Sequence, residues 1–141
     1  MIVEDLIDLD ISEYIGYVYM TTFLDLDKSY IGKKVFLHNT KRKIGKKEKA
    51  LMEGKGRKPI HEKVQKDSGW KDYYGSEKEV IELAKTTPKD RITRTVLQLC
   101  KTKRELSYYE VMFQFKYDVL SSDKFFNSNI SGRYFRKDLA S

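Results

Sequence analysis

One cysteine stands in 141 residues, so Cys100 has no disulfide partner in its own chain and no thiolate metal cluster can form. Two histidines, His38 and His61, leave a structural zinc site short of ligands. Proline occurs twice and glycine eight times, too rarely to keep the chain from regular elements. Nowhere do eighteen apolar residues follow one another, and the amino terminus has no basic segment ahead of a cleavable apolar core. The expectation from these shortages is a protein with no membrane span, working in a reducing, cytoplasmic compartment.

Acids are scarce in one stretch and concentrated in another. MIVEDLIDLDISE carries five acids and no base, whereas Lys33 to Lys66 carries thirteen Lys/Arg against three Asp/Glu. The chain as a whole has a net charge of +7. A basic block of this kind points to a polyanionic partner, nucleic acid before membrane surface. Ten tyrosines and seven phenylalanines argue against a disordered chain, and the length suits one domain spanning residues 1–141.

Along the chain, the acidic opening reads as an amphipathic lead-in or an extra edge strand. Tyr14 to Phe23 and Ser29 to Phe36 are rich in residues that fit a pleated surface, and a short loop between them favours a hairpin over residues 14–36. With Leu24 to Asp27 as a four-residue loop, Tyr30 would face Thr21 and lie diagonal to Tyr19 on one side of the sheet. Residues 37–69 read as an extended basic insert with a helical turn around Glu48 to Glu53. Ser76 with Glu79, and Thr102 with Glu105, are capping boxes opening two helices. The first helix runs to about Lys85; the second puts Leu106, Tyr109, Phe113, Tyr117 and Leu120 on one stripe. Between them Asp90 to Cys100 reads as a third strand, and residues 131–141 form a basic tail. The sum is an α+β fold, a small mixed, mainly antiparallel three-stranded sheet flanked by helices.

The signature residues resemble those of the GIY-YIG nuclease family. Tyr19 in YVY and Tyr30 in YIG are eleven positions apart, and Tyr30-Ile31-Gly32 is intact, while Tyr17 stands where the family usually has glycine and Gly16 is displaced by one. WKDYYGS, LSYYE and FFNSNI look like the phage-borne, freestanding branch. The likeness spans roughly residues 14–130. It implies a β-β-α-α-β-α core and metal-dependent cleavage of DNA with one Mg²⁺ or Mn²⁺ ion per site. Glu110 maps onto the metal-ligand glutamate and Asn127 onto the asparagine near the domain end. The catalytic arginine falls on HNTKRK, with Arg42 the candidate and Arg57 next.

The residue types suit that chemistry. Phosphodiester hydrolysis needs a positioned water, a proton acceptor and positive charge at the phosphate. Tyr19 is the expected proton acceptor and Tyr30 the group orienting water or phosphate. Of Lys33 and Lys34, which follow the YIG directly, one should share the tyrosine face. His38, eight positions beyond Tyr30, is near enough to reach the site, the alternative being a solvent-facing neighbour of the basic loop, as for His61. Lys34, Lys41, Lys43, Lys46, Lys47, Arg57 and Lys58 are the expected phosphate contacts. Trp70, Tyr73 and Tyr74 are expected to pack between insert and core, with stacking on bases or wedging a duplex the alternative. Two rival readings stay open, a non-catalytic nucleic-acid-binding module of the same fold and a phage factor binding an acidic host protein. The chain is expected to act as a monomer or homodimer.

Overall fold

Tyr, Val, Thr and Phe crowd Gly16–Phe23, and that segment is the middle strand, β1, of a three-stranded sheet. The computed structural model describes residues 1–43 and 61–139. Strand β2 is Lys28–Val35, β3 is Leu37–Lys43 and β4 is His61–Asp67. Helix α1 is Lys78–Thr86, β5 is Ile92–Cys100, α2 is Lys103–Lys116, and the two-residue strands β6 and β7 are Asn129–Ile130 and Tyr134–Phe135.

The main sheet has the order β2-β1-β5, antiparallel throughout. Residues 24–27 close the first hairpin, and Thr21 pairs with Tyr30 while Tyr19 pairs with Gly32, the register that a four-residue loop requires. Asp27 takes φ of 49° in that turn, a conformation a short polar side chain tolerates.

The sheet's two faces have separate cores. Tyr17, Tyr19, Phe23 and Tyr30 pack with Trp70, Val80 and the amino-terminal Val3 and Leu6. On the other face Val18, Ile31 and Cys100 pack with Leu106 of α2 and with Val119 and Leu120 beyond it. Each outer edge is partly paired by other segments of the chain, which limits where another chain's strand would add. On β5, the Val96 N–H donates to the Met1 carbonyl at 2.8 Å. On β2, Ser29 bonds the backbones of Lys124 and Phe126, each at 2.8 Å.

Several expectations need correction. Of the two readings of the acidic opening, the amphipathic lead-in fits and the edge strand does not: it is a 3-10 helix, Val3–Asp8, that buries Val3 and Leu6 and exposes its acids, preceded by one bridge from Ile2 to Thr95. The basic insert is not an extended loop at its base, because β3 and β4 pair residue for residue from Leu37–Asp67 to Lys43–His61. Its expected helical turn at Glu48 to Glu53 lies outside the described residues. Where the resemblance implies two helices between the second and third core strands, the described residues hold this hairpin and α1. The N-cap position of α1 is Glu77 rather than Ser76, and no side chain caps it: the Ser76 hydroxyl is bonded to Tyr30 and the Glu77 carboxylate to Ser128. Helix α2 starts as expected, with Thr102 Oγ1 accepting from the Glu105 N–H at 3.1 Å. It stops at Lys116, short of Leu120, and Asp118 at φ of 52° turns the chain away.

Candidate active site

The two signature tyrosines lie side by side under one face of the hairpin, ring centroids 6.3 Å apart. Tyr19 is 1% exposed and Tyr30 7%. Their closeness explains Gly32, since a Cβ there would stand 2.6 Å from the Tyr19 hydroxyl oxygen and 2.8 Å from the Tyr30 ring. Gly16, one place earlier than the usual signature glycine, is needed too, because a Cβ would strike the Lys34 carbonyl and reach 3.0 Å from Val35 Cα. Tyr17, in the usual glycine place, fits because Phe36 and Trp70 receive its ring at centroid distances of 5.3 and 6.2 Å.

The two hydroxyls differ. Tyr30 Oη shares a 2.6 Å hydrogen bond with Ser76 Oγ, 46 residues on in sequence. Tyr19 Oη is buried and makes no well-formed hydrogen bond among the described residues, with the Tyr73 hydroxyl its one weak side-chain partner. A buried polar atom left so costs about 1–3 kcal/mol and marks a place where a partner belongs. Burial pushes the Tyr30 phenol up to about 12, against a smaller lowering by Ser76. Burial, then the neighbouring phenols Tyr30, Tyr73 and Tyr17, hold Tyr19 well above the ordinary phenol range.

Glu110 sits on α2 beside the same edge strand. Its side chain is 18% exposed, and Lys33 Nζ stands 3.9 Å from Oε1 while donating to Ser107 Oγ at 3.0 Å. Burial raises the Glu110 carboxyl, and Lys33 opposes that through its charge and its backbone amide. Glu110 in turn acts on Tyr30, its negative charge helping to raise that phenol. Thus strand β2 carries the tyrosine on one face and, through Lys33, the carboxylate on the other. No three His, Cys, Asp or Glu side chains cluster among the described residues. One hard oxygen donor, loosely paired and partly open to solvent, fits an ion such as Mg²⁺ that keeps most of its water.

Residues 2–130 match the protein-family model described as "Putative endonuclease segE, GIY-YIG domain". The chain belongs to the GIY-YIG family. Comparison with curated proteins and with solved structures gave no match. The expected GIY-YIG assignment and its small α+β fold, a three-stranded antiparallel sheet with a few helices, therefore stand together. Among the described residues no helix is long and apolar enough to cross a membrane.

The remaining GIY-YIG candidates divide. Asn127 is buried and its carboxamide is committed to the backbone of Ile31: Nδ2 donates to the carbonyl at 2.8 Å and Oδ1 accepts from the N–H at 3.1 Å. It holds the YIG strand from the side. Gln114 of α2 donates to the same carbonyl at 3.0 Å. Lys34 is the lysine on the tyrosine face, its Nζ 4.0 Å above the Tyr73 ring, whereas Lys33 serves the Glu110 side. His38 is exposed on β3 opposite Lys66, in the second sheet rather than in the core sheet. Lys41, Arg42 and Lys43 also lie on β3, opposite Lys63, Glu62 and His61, so Arg42 stands on a strand and not on the helix that the resemblance implies. The HNTKRK segment pairs instead of coiling because HEKVQK offers it a matching strand. Lys46, Lys47, Arg57 and Lys58 lie outside the described residues.

Trp70 is buried and Tyr73 and Tyr74 pack against the core, as expected of packing residues. Cys100 is a core thiol, pushed up to about 11 by burial. Sequence reasoning missed Arg94, which is buried, donates to the carbonyls of Trp70 and Tyr73 at 3.4 and 3.1 Å, and pairs with Glu4 at 2.7 Å. It ties the segment over the tyrosines to the amino terminus. A charged residue alternating with Ile92 and Val96 on one face of a strand was the available signal. Arg136 of the tail donates to the carbonyls of Ser122, Phe125, Asn127 and Val119, so its guanidinium is structural.

Proposed function

We propose that this protein is an endonuclease hydrolysing DNA phosphodiester bonds with one divalent ion, Mg²⁺ or Mn²⁺, held by Glu110. The observation that supports it most is strand β2 of a GIY-YIG chain, which holds Tyr30 beside the buried Tyr19 on one face and Lys33 beside Glu110 on the other, with the Glu110 charge felt by Tyr30. Tyr19, with no well-formed hydrogen bond and only Tyr73 as a weak partner, would accept the proton as a phenolate. Tyr30, fixed by Ser76, orients water or phosphate. Lys33 brings an ammonium to the phosphate, and Asn127 and Gln114 keep the strand that carries them in place. An ion on Glu110 would supply Lewis-acid charge to a phosphate oxygen and favour the ionised forms of nearby water and phenol. Without added positive charge, burial keeps both phenols protonated.

Supercoiled-plasmid cleavage with Mg²⁺ or Mn²⁺ tests this. Nicked or linear product is expected, lost with EDTA and in Glu110→Gln. Removing the proton acceptor in Tyr19→Phe should slow cleavage by about 10²–10⁴-fold. Wild-type cleavage by Tyr19→Phe, with loss in Tyr30→Phe, would move the proton to Tyr30. DNA shifted in a gel by a wild type that cuts nothing would leave a binding module instead.

A further inference from the structure

Helix α2 is apolar on two sides. Leu106, Tyr109 and Phe113 face the sheet. The opposite side carries Tyr108, 65% exposed, and Phe115, 55% exposed, with Val111 and Met112 between them. Together with Lys103, Arg104 and Ser107 they line an open hollow of about 820 Å³. None of the lining residues is an acid. Ser107 also joins this hollow to the candidate site, because its hydroxyl accepts from Lys33 Nζ at 3.0 Å and Lys33 stands 3.9 Å from Glu110.

Outward aromatic rings beside cations suit a nucleic-acid strand, with phosphates on the cations and a base on a ring, since every base has a π-face. A second copy of the chain fits less well, because its own Lys103 and Arg104 would approach a hollow with no acid in its lining, the helix's Glu105 lying at the border. We infer that the outer face of α2 is a nucleic-acid subsite holding one strand next to the Glu110 corner, with a base stacked on Tyr108 and phosphates on Lys103 and Arg104. The inference extends the endonuclease reading along the path of the substrate. It makes a claim about binding that does not depend on cleavage.

The probe is a fluorescein-labelled oligonucleotide, single-stranded and duplex, titrated by anisotropy with the Glu110→Gln protein so that no strand is cut. Adding Tyr108→Ala should weaken binding about tenfold, and adding Tyr108→Phe should leave it unchanged. Replacing Lys103 and Arg104 together by Gln should lower the slope of log affinity against log salt by about two. Tyr108 and Phe115 are exposed, so these variants should melt like the parent, and circular dichroism checks that. Unchanged affinity and slope would overturn the subsite. A mass halved by Tyr108→Ala in light scattering, with oligonucleotide binding unchanged, would overturn it in favour of self-association. Plasmid cleavage run beside it keeps the two claims apart. If the unsubstituted protein cuts nothing, the endonuclease assignment fails whatever Tyr108 does; if it cuts and Tyr108→Ala binds like the parent, only the subsite fails.

Discussion

Asn127 does with one side chain what an added strand would do with its backbone. Phe126 bonds Ser29 through its main chain, and at the next alternate position of β2 the carboxamide of Asn127 takes over, meeting both the N–H and the carbonyl of Ile31. Removing it leaves a buried N–H without a partner, while Gln114 still reaches the carbonyl. Asn127→Ala should therefore cost about 2–3 kcal/mol, read as a lower denaturant midpoint with an unchanged slope. An effect on cleavage without loss of stability would instead place the carboxamide at the substrate. The sequence singled out Asn127 but not this role, because a pairing 96 residues apart leaves no local pattern.

The two capping boxes show how far local signals carry at the level of elements. Both have the same spacing, yet only Thr102 caps its helix. Ser76 is drawn off by the Tyr30 hydroxyl, a contact no window around residue 76 contains. Thr102→Ala should destabilise by about 1 kcal/mol, a fall in Tm of roughly 3–5 °C. Ser76→Ala should leave α1 intact and act through the loosened Tyr30, so its helix content by circular dichroism should match the parent. The β3–β4 hairpin was hidden for a different reason. HNTKRK and HEKVQK hold a single apolar residue between them, Val64, so they lack the apolar alternation by which a half-buried strand is recognised.

Across the whole molecule, buried acidic hydrogens set a limit on stability at high pH. Tyr17, Tyr19 and Tyr30 all ionise above the ordinary phenol value of 10.0, mainly through burial, and Cys100 rises from 9.0 to about 11. These groups bind their protons more tightly when folded, so the stability they add is fully present below their unfolded values. It is lost as pH rises through the folded ones. Tm should hold up to about pH 9 and fall between there and about 12, with part of the tyrosinate absorbance emerging only on unfolding. Complete tyrosine titration near pH 10 in a protein that is still folded would refute the burial argument.

Length, charge block, hairpin register and the spacing of Tyr19 and Tyr30 were determined by the sequence alone, because each depends on neighbours in the chain or on a count. The α2 cap and the third strand belong with them. Tertiary structure decided that Tyr30 binds Ser76, that Asn127 and Gln114 grip Ile31, that Arg94 is buried against Glu4, and that Glu110 faces Lys33. Each of these is a polar contact between residues brought together only by packing. A buried polar group must find a partner, but periodicity and propensity do not say which one.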